Sequence, residues 1–262
     1  AGAPVLARGT SSGFQAGLYR RLAKLYRDER FDIVHTHDDR PLIYGIPAVW
    51  WAGVPRRIHT HHHGWLPHNR RLSWMIWAAA RFAQRFVCVS HDSAAFMRKQ
   101  GAVRVETLWN GIDLTRFAFQ GPAPSGPIVC VARLIGDKDI ANLVRAAAEV
   151  LRAAPDAVFE IAGDGPCRDA LQQLIESLGL QANVRLLGAV RDVPALLMRA
   201  SLFVLPSQSE GISLTILEAM ARGLPVIACR VGDNPEVVQE GQTGLLVPAR
   251  EPVALAGAIV TL

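Results

Sequence analysis

The chain contains no apolar run of the roughly 18 residues that a membrane-crossing helix needs, and no secretory leader pattern is visible in it. Cysteine is scarce. Cys88, Cys130, Cys167 and Cys229 are scattered without paired spacing, which excludes a disulfide framework or a zinc ribbon and points to a reducing compartment. The glycine-rich turn Gly163–Pro166 is not followed by Gly-Lys-Ser/Thr, so it is not a P-loop. No RRM aromatic motif or zinc finger is present, and nucleic acid is not an expected partner. The second half lacks histidine and tryptophan altogether, because all eight His and all six Trp precede residue 110.

Charge divides the chain in the same way. Residues 1–120 carry 17 Lys and Arg against 8 Asp and Glu, a net +9, while residues 121–262 carry 11 against 15, a net −4. Two chemically different halves in 262 residues suggest two domains with different partners. A boundary fits FQGPAPSGP at 119–127, which is rich in Pro and Gly. The expected domains are 1–119 and 120–262. The basic first half suits an anionic lipid surface or a phosphorylated substrate.

Helical and strand patterns alternate along the chain, as in an α/β fold with parallel sheets. Residues 14–30 have helical spacing, FDIVHTH at 31–37 reads as a strand, and the apolar stretch 41–52 reads as a helix. NRRLSWMIWAAARFAQRF at 69–86 is helical. It suits either an ordinary core-facing helix with snorkelling arginines or an interfacial helix on anionic lipid. In HTHHHGW at 59–65, His59, His61 and His63 alternate, so a strand would put them on one face. That pattern allows a metal site, solvated imidazoles, or an active-site role for at least one His.

The chemistry is concentrated in SQSEGISLTILEAMARGLPVIA at 207–228. A buried strand leads in, a polar loop carries Glu210 and Gly211, and a helix follows until Gly223 stops it. The amides of Ile212, Ser213, Leu214 and Thr215 lack intrahelical partners at such a terminus, and the helix dipole adds positive potential. A phosphate suits this place, and Gly211 allows close backbone approach. Glu218 stands one turn or so into the helix, and its carboxylate suits a vicinal diol such as a ribose. In IVCVARLIGDKD at 128–139, Arg133 and Lys138 follow a strand end and suit a diphosphate.

These segments resemble the retaining glycosyltransferases of family 4, with the GT-B fold of two Rossmann-like domains facing each other across a cleft. SEGISLTILEAMARGLPVIA looks like the family's Glu-x7-Glu motif, ARLIGDK like its GRL…KG motif, and IAGDGP like its iaGdGp segment. NGIDLTRF, beginning at Asn110, is similar to the segment that joins the two domains beside the nucleotide. Two positions depart from the pattern: Ala132 stands for a Gly before Arg133, and Asp139 for a Gly after Lys138.

The resemblance implies a sugar transfer from a UDP- or GDP-sugar to a saccharide or lipid-linked acceptor. It implies that Glu210 and His63 lie by the donor sugar, with His62 as a fallback for the latter. It places Arg133, Lys138 and the backbone from Gly211 to Leu214 on the diphosphate, Glu218 on the ribose, and Asn110 and Gly163 in the nucleotide site. It implies no metal and no cofactor beyond the nucleotide sugar. It also implies a glycine-rich loop before residue 1 and a crossover helix after residue 262. The expected location is cytoplasmic, with peripheral contact with an anionic membrane. Rival readings are a non-catalytic nucleotide-sugar-binding protein, a GT-B sugar-nucleotide epimerase and a His-cluster metal module.

Overall fold

The computed structural model describes residues 15–62 and 70–262. The described residues form two compact units. One comprises 15–62, 70–87 and 97–106; the other comprises 88–96 and 107–262.

Four strands run in the spatial order of the sequence in the first sheet: β1 (Ile33–His37), β2 (Arg56–His61), β3 (Arg85–Cys88) and β4 (Val105–Thr107). Between them lie α2 (Asp39–Trp51), α3 (Arg70–Ala80) and α4 (His91–Lys99), and α1 (Ala16–Asp28) precedes β1. Strands β1 and β2 are parallel, with Ile33 opposite Arg56 and His37 opposite Thr60. Helix α2 begins at Asp39, ahead of Pro41, and continues through Pro47.

His59 and His61 point inward from β2, both fully buried against the Phe86 ring at 4.9 and 6.0 Å. This is the same-face alternation expected of a strand. The Nδ1 of His59 lies 2.9 Å from the Thr36 hydroxyl. On the more open side, His35 Nε2 meets Thr60 Oγ1 at 2.7 Å and His37 Nδ1 meets His62 Nε2 at 3.0 Å. Burial, and then the neighbouring imidazoles of His61, His37, His35 and His62, push the His59 pKa down to about 2. His59 is therefore a neutral core residue.

Six parallel strands make the second sheet: β5 (Ile128–Val131), β6 (Phe159–Ala162), β7 (Val184–Gly188), β8 (Leu202–Leu205), β9 (Val226–Cys229) and β10 (Gly244–Val247). Their spatial order is β10-β9-β8-β5-β6-β7. Numbered within this domain, that is 6-5-4-1-2-3, the doubly wound order of dinucleotide-binding domains, with the reversal between β5 and β8. The helices are α5 (Ile140–Ala153), α6 (Arg168–Ser177), α7 (Val193–Met198), α8 (Leu214–Ala221), α9 (Asn234–Val237) and α10 (Pro252–Thr261).

Both faces of this sheet are covered, so its strands read as continuous apolar runs. Along β8, Leu202 and Val204 pack with α5, α6 and α10, while Phe203 and Leu205 pack with α7 and α8. Strand β5 alternates likewise, Ile128 and Cys130 to the first face and Val129 to the second. The Gly163-Asp164-Gly165 turn after β6 lies against the backbone that follows β5. A Cβ on Gly163, whose φ is +142°, would sit 1.8 Å from the Ala132 carbonyl oxygen, and one on Gly165 would sit 2.5 Å from that of Leu134. Only glycine allows that approach.

The neutral state of His59 gives the first unit a pH dependence. The unfolded chain takes up a proton near pH 6.5, and the folded one refuses it down to about 2. The stability from neutral His59 is therefore complete above pH 6.5 and is lost as pH falls below it, at about 1.4 kcal/mol per pH unit. Denaturant unfolding between pH 7 and 5 should show this slope, and His59→Asn should remove that share of it.

Candidate functional site

The site is built at the reversal point of the second sheet. Strands β5 and β8 are neighbours whose following loops diverge, so a crevice opens at their C-terminal ends. The loop after β5 carries Arg133 and a short 3-10 turn, Gly136–Lys138; the loop after β8 carries Ser207 and Glu210. A backbone hydrogen bond of 2.8 Å from Gln208 N to Asp137 O ties the two loops together.

Glu210 is the centre of this arrangement. Its Oε1 accepts from Lys138 Nζ at 2.5 Å and from Ser207 Oγ at 2.5 Å. The Glu210 side chain is 6% exposed and that of Lys138 18%. These two come from separate motifs, and no local pattern indicates that they pair. Gly232 closes the other side; a Cβ there would meet the Glu210 carbonyl oxygen at 1.9 Å. Arg133 is exposed. Strand β5 ends at Val131, so Arg133 lies in the loop that follows it.

The helix that follows Glu210 is α8. Ser213 is its N-cap residue, without a side-chain cap, and the first helical bond runs from Leu217 N to Ser213 O. The amides of Ser213, Leu214, Thr215 and Ile216 have no hydrogen-bond partner among the described residues. The open amides thus extend one residue further into the helix than expected, to Ile216. Ile212 and Ser213 are buried side chains that seat this terminus, and Gly211 is half-buried.

Glu218 is half-buried on α8, and burial raises its pKa while the nearby Arg116 guanidinium works against that rise. Arg116 belongs to the segment that begins at Asn110. That segment is fixed to α8 by Phe117, which packs with Ile216 and Ala219. Arg222 fixes it too, donating from Nη1 to the Ala118 carbonyl at 3.0 Å and from Nη2 to that of Arg116 at 3.4 Å. Asn110 itself is half-buried in a loop. Gly163 supports the Arg133 loop from beneath, so its lack of a side chain has a packing reason. His63 lies outside the described residues.

Asp139 explains one departure from the family pattern. Its φ and ψ are both 44°, the left-handed region where glycine is the residue of least strain. Aspartate is among the few other residues that tolerate it. A cluster that sequence reasoning missed is Asp92, Asp233 and Glu236, whose carboxylate oxygens lie within 4.8 Å of one another. Burial, above all, raises the Asp233 pKa. Their separation in sequence left no local signal.

A doubly wound domain with cations, a helix N-terminus and carboxylates at its reversal point has the build of a nucleotide-binding domain. Comparison with known proteins gives the family. Residues 126–262 match the family described as "Glycosyl transferases group 1" and residues 3–116 match "Glycosyltransferase Family 4". The chain belongs to these glycosyltransferases, is an enzyme of that class, and has the GT-B fold. It is 30% identical to an Escherichia coli "UDP-Gal:alpha-D-GlcNAc-diphosphoundecaprenol alpha-1,3-galactosyltransferase", over 91% of this chain and 68% of that protein. It is 28% identical to a GDP-mannose-dependent phosphatidylinositol monomannoside mannosyltransferase of Mycolicibacterium smegmatis, over 91% and 69%. Among solved structures, Anabaena Alr3699/HepE in complex with UDP superposes with a TM-score of 0.81 at 25% identity, over 94% of this chain and 72% of that one.

Two stability measurements test the geometry. Asp139→Gly relieves the left-handed backbone and should raise stability by about 1 kcal/mol in chemical denaturation. In a double-mutant cycle, Lys138→Met and Glu210→Gln should be non-additive, with a coupling energy of about 1–3 kcal/mol. Additive effects would show that the two side chains do not interact.

Proposed function

We propose that the chain transfers a sugar, with retention of configuration, from a UDP- or GDP-sugar to a saccharide or lipid-linked acceptor. The observation that carries this reading is the convergence of Lys138, Glu210 and the open amides of α8 at the reversal point of the second sheet. Breaking the glycosidic bond of a nucleotide sugar leaves negative charge on the departing diphosphate. Arg133, Lys138 and the amides that follow Gly211 neutralise that charge as it grows, which lowers the barrier without a metal. Glu210 holds Lys138 in the ligand-free protein; when a diphosphate arrives, Lys138 is shared and Glu210 turns to the donor sugar. Glu218 takes the ribose diol, beside Arg116 and the Asn110 segment. The resemblance adds His63 at the donor sugar, and no residue is assigned as a nucleophile.

The Escherichia coli and mycobacterial relatives are named for a UDP- and a GDP-linked donor respectively, and both for lipid acceptors. Those names support a lipid-linked acceptor here and leave the base open between uracil and guanine. The four free cysteines, three of them buried, agree with a cytoplasmic site of action. No helix of the described residues is long and apolar enough to cross a membrane.

A thermal-shift panel of UDP, GDP, ADP and their sugar conjugates, with and without EDTA, tests the reading. One base should stabilise the protein independently of EDTA, by about 2.7 kcal/mol at a hundredfold excess over its dissociation constant. Glu218→Ala and Lys138→Ala should each weaken that nucleotide about tenfold or more. Unchanged affinity in a folded Glu218→Ala protein would remove the ribose assignment. Binding without any transfer to lipid-linked or saccharide acceptors would favour a non-catalytic binding protein.

A further inference from the structure

Asp92, Asp233 and Glu236 take no part in the reading given for the donor crevice. All three belong to the second unit. Asp92 stands in the first turn of α4, Asp233 is the N-cap residue of α9, and Glu236 lies within α9. One carboxylate oxygen from each lies within 4.8 Å of the other two. Glu236 also ties the two segments together, since its Oε1 accepts from the Asp92 amide at 3.3 Å. That bond satisfies one of the open amides at the start of α4.

The oxygens that remain point to a ligand. Asp233 is 2% exposed, and its Oδ2 has no hydrogen-bond partner among the described residues. The Oε2 of Glu236 is likewise buried without a partner among them. A buried carboxylate oxygen that accepts no hydrogen bond is costly, and buried charges are ordinarily paired or bound to a metal. None of the three carboxylates forms an ion pair with a lysine, arginine or histidine among the described residues. Burial raises the Asp233 pKa, and the Ser90 hydroxyl opposes the rise. The charged neighbours that act on Asp233, Glu236 and then Asp92, are both acids and add to it.

The group offers only carboxylate oxygens, with no imidazole or thiolate. Such a donor set suits a hard cation and not zinc or copper. Calcium takes oxygens at about 2.3–2.6 Å, so oxygens on opposite sides of one ion lie about 4.6–5.2 Å apart. Three oxygens that all lie within 4.8 Å of one another fit around one such ion. Magnesium asks for shorter bonds in a stricter octahedron and gives up its waters reluctantly. Asp92 is exposed, so water can complete the shell on that side. We infer that Asp92, Asp233 and Glu236 bind one divalent cation of the calcium type, which clamps the start of α4 to α9. The ion is structural, and the sugar transfer proposed above takes no step through it. The inference stands whether or not the donor-site reading holds.

The test is isothermal titration calorimetry of the full chain, stripped with EDTA and dialysed free of it, with calcium chloride near neutral pH. A single calcium ion should bind, and the same addition should raise the melting temperature by a few degrees. Magnesium chloride should bind about tenfold more weakly, and sodium chloride of equal ionic strength should do neither. Asp92→Asn changes an exposed side chain and should weaken calcium about tenfold or more, as should Glu236→Gln. In EDTA, Asp92→Asn should be at least as stable as the parent, because a like charge has gone; in calcium it should be less stable. A carboxylate with a merely structural role would not give that crossing. Asp156→Asn, at an exposed acid of the second unit, should leave calcium binding unchanged. Absence of calcium binding, or equal binding in Asp92→Asn, would overturn the inference and leave a shared proton as the link between the carboxylates. Stabilisation by sodium chloride as large as that by calcium would overturn it as well. The thermal shift caused by UDP or GDP, read against the matching calcium or EDTA control, should be the same in Asp92→Asn as in the parent, which separates this result from the fate of the donor site.

Discussion

The pairing of β5 with β8 is the constraint on which the second unit depends. Strands adjacent in space but distant in sequence send their following chains to opposite sides of the sheet. A gap therefore opens at their C-terminal ends. Lys138 reaches it from one loop, and Glu210, followed by α8, reaches it from the other. The glycines at 163 and 232 matter for the same reason: each lets a neighbouring turn press on the backbone of one of these loops. A side chain at either would push the loops off the positions that the strands set.

Electrostatics sets the state of the crevice. Burying Glu210 and much of Lys138 costs solvation, and the pair persists because Ser207 supplies a further hydrogen bond to the carboxylate. Such a pair is a poor source of stability and a good switch. In the proposed reaction an incoming diphosphate would compete for Lys138 and free the Glu210 carboxylate. The amides of α8 stay fixed by the helix, so they need no reorganisation when charge develops. Glu218 differs from Glu210 in having Arg116 as its recorded neighbouring charge, and burial dominates its titration.

The first unit is built on other terms. Trp50, Trp51 and Trp74 are exposed on it, and among its described residues the histidines fall into a buried pair on β2 and a more open group around His37 and His62. His59 and His61 serve as core residues, so part of the histidine-rich run is packing. The charge asymmetry between the halves thus separates a second unit with a few cations placed at the sheet reversal from a first unit with a broadly positive charge.

Much of this was legible in the chain. Alternating helix and strand periods gave the α/β class, and the motif around Glu210 and Glu218 lay on a loop and helix as its spacing required. The reason is that periodicity, turn residues and helix stops are encoded within about ten neighbouring residues. The sequence by itself determined most of the elements and the family. Only the tertiary structure decided that Lys138 and Glu210, 72 residues apart, share a hydrogen bond, and that Asp139 occupies a left-handed position. It alone also brought Asp92 to Asp233 and Glu236. Those contacts depend on strand order and on the packing of distant elements, which no local pattern of residues encodes.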